Sequence, residues 1–136
     1  MSAPKPSILL AFDFGLRNIG VATGQRITRT ATELATLRAR DGVPNWREVA
    51  TLIDEWRPDV LLVGLPLNMD DTKSDMAERA ERFAKQLKRR FDCEVALVDE
   101  RLTSFEAKGL SRDIDAQHAI AARLIAETYL GDTTKR

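Results

Sequence analysis

The sequence predicts a mixed α/β fold: a mixed five-stranded sheet, with a three-stranded antiparallel meander followed by two parallel strands, flanked by helices. Three observations lead there. The first three apolar runs are joined by short links, which favours antiparallel neighbours. The next strand-like run is apolar on both faces, as in a parallel strand covered on each side. Helical periodicity then alternates with short strands, the pattern of βαβ crossovers.

Ser7–Phe14 is a short apolar run with a single acid, Asp13, inside it, and reads as a buried strand. Gly15-Leu16-Arg17-Asn18 forms a turn. Ile19–Thr23 and Thr28–Leu37 supply the second and third strands. Asn45 then caps a helix, with Glu48 placed for a capping box. Val49, Leu52, Ile53 and Trp56 share one face of it, and Pro58 stops it. Asp59–Gly64 is the fourth strand, the doubly apolar one. After a loop over Leu65–Lys73, a long helix runs from about Ser74 to Phe91, with Met76, Ala80, Phe83 and Leu87 as its buried stripe. Glu94–Val98 is the fifth strand. Thr103 and Glu106 open a short helix, and a last helix covers roughly Ile114–Leu130. Met1–Pro6 and Gly131–Arg136 read as loose ends.

The 136 residues fit a single domain, 1–136, with 43% hydrophobic and 31% charged residues, a globular balance. Basic and acidic residues number 21 each, so any nucleic-acid contact must come from a local patch. The lone cysteine, Cys93, excludes an internal disulfide and reads as a half-buried thiol at a strand start. No apolar run approaches the roughly 20 residues that span a bilayer. A reducing, cytoplasmic setting is the expectation.

Three sets of polar residues stand where apolar ones would be cheaper. Asp13 lies in a strand whose two faces should both be covered, and a bare buried carboxylate costs several kcal/mol. A metal, an arginine or several N–H donors must compensate; the plain alternative is a strand-end cap on the Gly15 turn. Asp99-Glu100-Arg101 ends the fifth strand, and ligands in α/β sheets sit at such carboxyl ends. Strand alternation lets only one of the two acids face a given side; an Arg101 salt bridge is the alternative. Asp115 opens the last helix, where an acid also suits the helix dipole. His118 follows one turn later on the same face. Acids from three elements suit Mg²⁺, or Mn²⁺, bound with water and phosphate oxygens. Two such ions about 4 Å apart assist phosphodiester hydrolysis. Phosphate loops, zinc spacings and nucleophile elbows are absent from the sequence.

Phe12-Asp13-Phe14-Gly15 followed by Ile19-Gly20-Val21-Ala22 resembles the first-strand motif of the YqgF/RuvX family. Val63-Gly64-Leu65-Pro66-Leu67-Asn68-Met69-Asp70 is similar to its second motif, and Asp99-Glu100-Arg101-Leu102-Thr103-Ser104 to its third. The likeness extends from about Ile8 to Leu130. It implies a ribonuclease-H-like fold and a divalent-metal nuclease site with Asp13, Glu100 and Asp115 as catalytic and metal-binding residues. The family is tied to maturation of the 5′ end of the 16S ribosomal RNA precursor. It is also linked, through similarity to the RuvC resolvases, to Holliday junctions.

Three departures accompany the likeness. The family's segment before the last helix is longer, basic and glycine-containing, whereas Gly109–Asp113 alone joins the helices here. Counted forward from Ile114, Asp115 takes the third acidic position; counted back from Tyr129, His118 does. Asp71 stands where the second motif commonly has glycine.

Lys85, Lys88, Arg89 and Arg90 gather at the end of the long helix, which also suits its dipole. Arg17, Arg101, Lys108 and Arg112 are expected to rim the carboxylates and contact phosphates of structured RNA, or of branched DNA. Three readings follow: an RNA-processing nuclease, a junction resolvase acting as a homodimer, and a non-catalytic nucleic-acid-binding module. The sequence does not choose between monomer and homodimer.

Overall fold

The structure, a computed structural model, describes residues 7–66, 74–99 and 114–134. Six strands and three helices follow one another as β1 (Ile8–Asp13), β2 (Asn18–Gln25), β3 (Thr30–Arg40), β4 (Val43–Pro44), α1 (Trp46–Trp56), β5 (Val60–Leu65), α2 (Asp75–Phe91), β6 (Glu94–Asp99) and α3 (Ile114–Thr134). The strands form one sheet in the order β4-β3-β2-β1-β5-β6. β1, β2 and β3 make the expected antiparallel meander, and β1, β5 and β6 run parallel.

The sheet has six strands, not five. The extra one is short: Val43 and Pro44 fold back on Arg40 and Ala39. Asp41 and Gly42, with φ of 50° and 82°, make the tight turn between them. An Asp-Gly pair with two positive φ values suits a two-residue hairpin. β3 correspondingly runs on to Arg40 instead of ending at Leu37. It begins two residues late, because Ile27 is 69% exposed with no core to join and Arg29 takes a left-handed turn conformation.

Both main helices start where expected, the first at its expected cap. The Asn45 side chain accepts the Arg47 N–H at 3.0 Å, and α1 ends at a left-handed Arg57 before Pro58. Ser74 is itself the cap of α2, accepting the Ala77 N–H while its hydroxyl donates to the Pro66 carbonyl, which ties the exit of β5 to α2. The buried stripe of α2 is Ala77, Ala80, Phe83, Ala84 and Leu87, with Met76 only partly covered. Small alanines let this helix lie close on the sheet. α3 also departs from expectation. It continues through Gly131 to Thr134, because Leu130 is buried at 2% exposure and no proline follows to stop the helix. The short helix expected from Thr103 lies outside the described residues.

Period-two alternation splits the core between the two faces of the sheet. Leu10, Phe12, Val21, Leu61 and Val63 pack with Val49 of α1 and with Phe83 and Leu87 of α2. Leu9, Ala11, Val60, Leu62 and Val98 pack with Ile125, Ala126 and Leu130 of α3. Each such buried aliphatic or aromatic side chain contributes about 1.5–3 kcal/mol. Cys93 is half-buried just before β6, its thiol facing the Pro58 carbonyl. Burial, with Asp59, Glu94 and Asp92 nearby, pushes the thiol pKa up and leaves it a weak nucleophile. Among the described residues, no helix is long and apolar enough to cross a membrane.

Polar contacts seat α3 on the meander. Arg123 pairs with Glu33 of β3, and Arg26 donates to the Tyr129 hydroxyl at 2.8 Å. The closest approach is at Gly20 of β2. A Cβ there would stand 1.9 Å from the His118 carbonyl oxygen and 2.9 Å from the Ala119 nitrogen. Both are backbone atoms, so the helix itself would have to move. Gly20→Ala is therefore expected to destabilise the protein by about 1–3 kcal/mol, read as a melting temperature lower by roughly 5 °C or more. A melting temperature equal to that of the parent protein would contradict this packing.

Candidate metal and nucleic-acid site

Asp13 ends β1 on the α3 side of the sheet, following Leu9 and Ala11 by alternation. The carboxyl ends of the three parallel strands reach the same edge: Phe12 lies beside Val63, Val63 beside Leu97, and Leu65 beside Asp99. The Asp13 side chain is 16% exposed. Among the described residues no N–H, hydroxyl or arginine hydrogen-bonds to it, so neither an arginine nor a strand-end cap neutralises it there.

His118 stands next to it, with Nδ1 3.9 Å from the Asp13 Oδ2. That is too long for a hydrogen bond and within range of a shared ion or a water. The sequence of causes is short. Asp13 pairs across the ladder with Gly20. The missing side chain at Gly20 admits the α3 backbone at His118 and Ala119. His118 is thereby held over the end of β1.

Asp115 precedes His118 by three residues on the same helix, about 4.5 Å along its axis. Its backbone is described and its side chain is not. Glu100, Arg101, Lys108 and Arg112 lie outside the described residues, as does the second motif beyond Pro66. Asp99 is described and exposed. Val98 packs toward α3, so alternation turns Asp99 to the opposite face from Asp13. Among the described residues, no three histidine, cysteine or acidic side chains converge as a metal site.

Arg17 is exposed on the turn after β1. Its carbonyl accepts the Ala39 N–H and the Leu16 carbonyl accepts the Gly42 N–H, so the turn is stitched to the β3–β4 hairpin. Arg38 is a neighbour that the sequence reading missed. It lies opposite Asn18 and donates to the Asn18 side chain at 2.6 Å. Two residues away, Thr36 pairs with Gly20, so Arg38 lies on the Asp13 face. The signal was the alternation Thr36-Leu37-Arg38, which becomes visible once β3 is allowed to run past Leu37. At the far end of α2, Arg90 stacks over the Trp46 ring at 4.2 Å.

A chain from Azotobacter vinelandii named "Putative pre-16S rRNA nuclease" is 51% identical, covering 93% of this chain and 95% of its own. A relative of the same name from Marinobacter nauticus is also 51% identical, with 95% and 96% covered. Among solved structures, RuvC of T. thermophilus with a Holliday junction substrate superposes with a TM-score of 0.55 at 12% identity, over 94% of this chain and 97% of that one. The yeast mitochondrial Holliday junction resolvase Ydc2 gives 0.54 at 11% identity, over 95% and 80%. At such identities the likeness shows the fold, which is the ribonuclease-H-like one that RuvC has. The family model described as "RuvX: Holliday junction resolvase" matches residues 7–132, and the chain belongs to that family.

Proposed function

We propose that the protein is a divalent-metal-dependent nuclease that hydrolyses phosphodiesters, and that its substrate is the 5′ region of the 16S ribosomal RNA precursor in the cytoplasm. The observation that carries the reading is Asp13: a largely covered carboxylate at the carboxyl end of an interior strand, facing an imidazole and without a hydrogen-bond donor among the described residues. The substrate follows the name shared by relatives about half identical over almost the whole chain.

The donor chemistry fits Mg²⁺ or Mn²⁺, which prefer carboxylate oxygens. We assign Asp13, Glu100 and Asp115 as ligands. Glu100 is chosen over Asp99 because Asp99 belongs to the other face of the sheet. When bound, such ions supply the charge that activates a water and stabilises the leaving oxygen. The residues of the chain do the rest. Asp13 fixes the position of the centre on a strand packed on both faces. His118, with Nδ1 toward Asp13, is placed to hold a proton there or to serve as an alternative ligand. Arg17, Arg101, Lys108 and Arg112 are assigned to phosphates around the centre, with Arg38 added to them.

A second reading rests on the family description and takes a four-way DNA junction as substrate. A resolvase cuts two strands symmetrically, so it requires a two-fold dimer. Sedimentation with precursor RNA and with four-way junctions separates the two: a dimer only on junctions supports resolution, and an RNA complex with one copy supports processing. A non-catalytic module would leave both substrates uncut whatever metal is present.

Asp13→Asn should keep the fold and lower metal-dependent cleavage by about 10²-fold or more. Cleavage at the parent rate would overturn the mechanism. Arg17→Ala should flatten the dependence of log affinity on log salt by about one unit. An unchanged slope removes Arg17 from the phosphate rim.

A further inference from the structure

One cleft among the described residues does not contain Asp13. It lies between α2 and the β3–β4 hairpin, on the other face of the sheet. Phe14 and Phe83 line it together with Gly42 of the hairpin and Arg79, Arg82 and Gln86 of α2. It is nevertheless next to the site, because Asp13 and Phe14 are consecutive. Their Cα atoms are about 3.8 Å apart and their side chains diverge to opposite faces.

The charge on this side of α2 is concentrated. Arg79 is paired with Asp41 at 3.3 Å. Arg82 and Arg89 are exposed, and among the described residues no carboxylate pairs with either. With Gln86 they fall at i, i+4 and i+7, on one side of the helix. A favourable helix dipole accounts for cations in the last turn only, and Arg82 lies mid-helix. The seven-residue separation of Arg82 and Arg89 is about 10.5 Å along the helix axis, far enough apart for each to meet a separate phosphate. Lys85 and Lys88 project instead toward Val95 and Leu97 of β6. With an overall formal charge of zero, this concentration of cations is a local feature of α2.

The geometry points to the Arg82–Arg89 side of α2 as a second phosphodiester-backbone contact, gripping the nucleic acid on the far side of the sheet edge from Asp13. A strand cut at Asp13 and passing over the Gly15–Arg17 turn enters the cleft at Phe14 and then follows α2. The inference rests on the nuclease reading and deepens it: the substrate must be long enough, or branched enough, to wrap the edge.

The test is fluorescence-anisotropy binding of the full chain in EDTA to two probes. One is a stem-loop RNA with a single-stranded 5′ extension, and the other is a four-way DNA junction. Arg82→Ala/Arg89→Ala should lower the slope of log affinity against log salt by about 1.5 units, two phosphate contacts' worth. Arg82→Lys/Arg89→Lys should restore most of that slope, and Lys85→Ala/Lys88→Ala should leave it nearly as in the parent protein. Melting temperatures report that each variant is folded. A larger effect on the RNA names RNA as the wrapped substrate, and a larger effect on the junction names branched DNA. An unchanged slope in the arginine pair, or an equal fall in the lysine pair, overturns the inference. If the slope is unchanged while Asp13→Asn still abolishes cleavage, the second contact fails alone. If the parent protein cuts neither substrate yet shows the arginine-dependent slope, the contact stands and the nuclease reading fails.

Discussion

The contact between Gly20 and the backbone of α3 organises this molecule. A helix is ordinarily kept away from a sheet by the side chains of both. At Gly20 the sheet offers none, and the His118 carbonyl lies where a Cβ would be. Gly20 is also the ladder partner of Asp13. One missing methyl group thus sets the distance between the carboxylate on β1 and every polar residue that α3 carries at its start. The core on that face, from Leu9 to Leu130, supplies the energy that holds the helix down, and the Arg123–Glu33 pair keeps it aligned with the meander.

Much of this architecture was legible in the residues. The doubly apolar run at β5, the cap at Asn45, the helix start near Ser74, and the stop at Pro58 each carry a local physical cause, and local causes survive folding. Asp41-Gly42 was equally local, being a tight-turn pair, but Val43-Pro44 is too short to register as a strand by periodicity. The rotation of α3 was not legible. Buried residues surround it (Ala119, Ala121, Ala122, Leu124, Ile125 and Ala126 in close succession), so no single apolar stripe marks the face that meets the sheet. Counting from one end or the other therefore brought different residues, Asp115 or His118, to the site. The steric demand at Gly20, a long-range fact, brings His118 to Asp13. It leaves Asp115 one turn upstream on the same helix.

The two faces of the sheet divide the labour between consecutive residues. Asp13 turns to α3 and the candidate catalytic centre; Phe14 turns to α2 and packs at a tilt against Phe83, itself packed against Phe12 and Trp46. The aromatic cluster makes the end of β1 rigid. A carboxylate that must hold a cation in one place benefits from such a mount, because its strand is packed from both sides. The Gly15–Arg17 turn, bonded to the β3–β4 hairpin, continues the same rigid edge outward to the solvent.

The central claim is that Asp13 and the start of α3 share one divalent cation. His118 is the protein's single histidine, so its imidazole resonances are unambiguous in a proton NMR spectrum. Titration with substoichiometric Mn²⁺ measures the claim directly through paramagnetic broadening. The account predicts that the His118 resonances broaden selectively in the parent protein and stay sharp in Asp13→Asn. Resonances that stay sharp at Mn²⁺ concentrations supporting cleavage, or that broaden equally in both proteins, would contradict it.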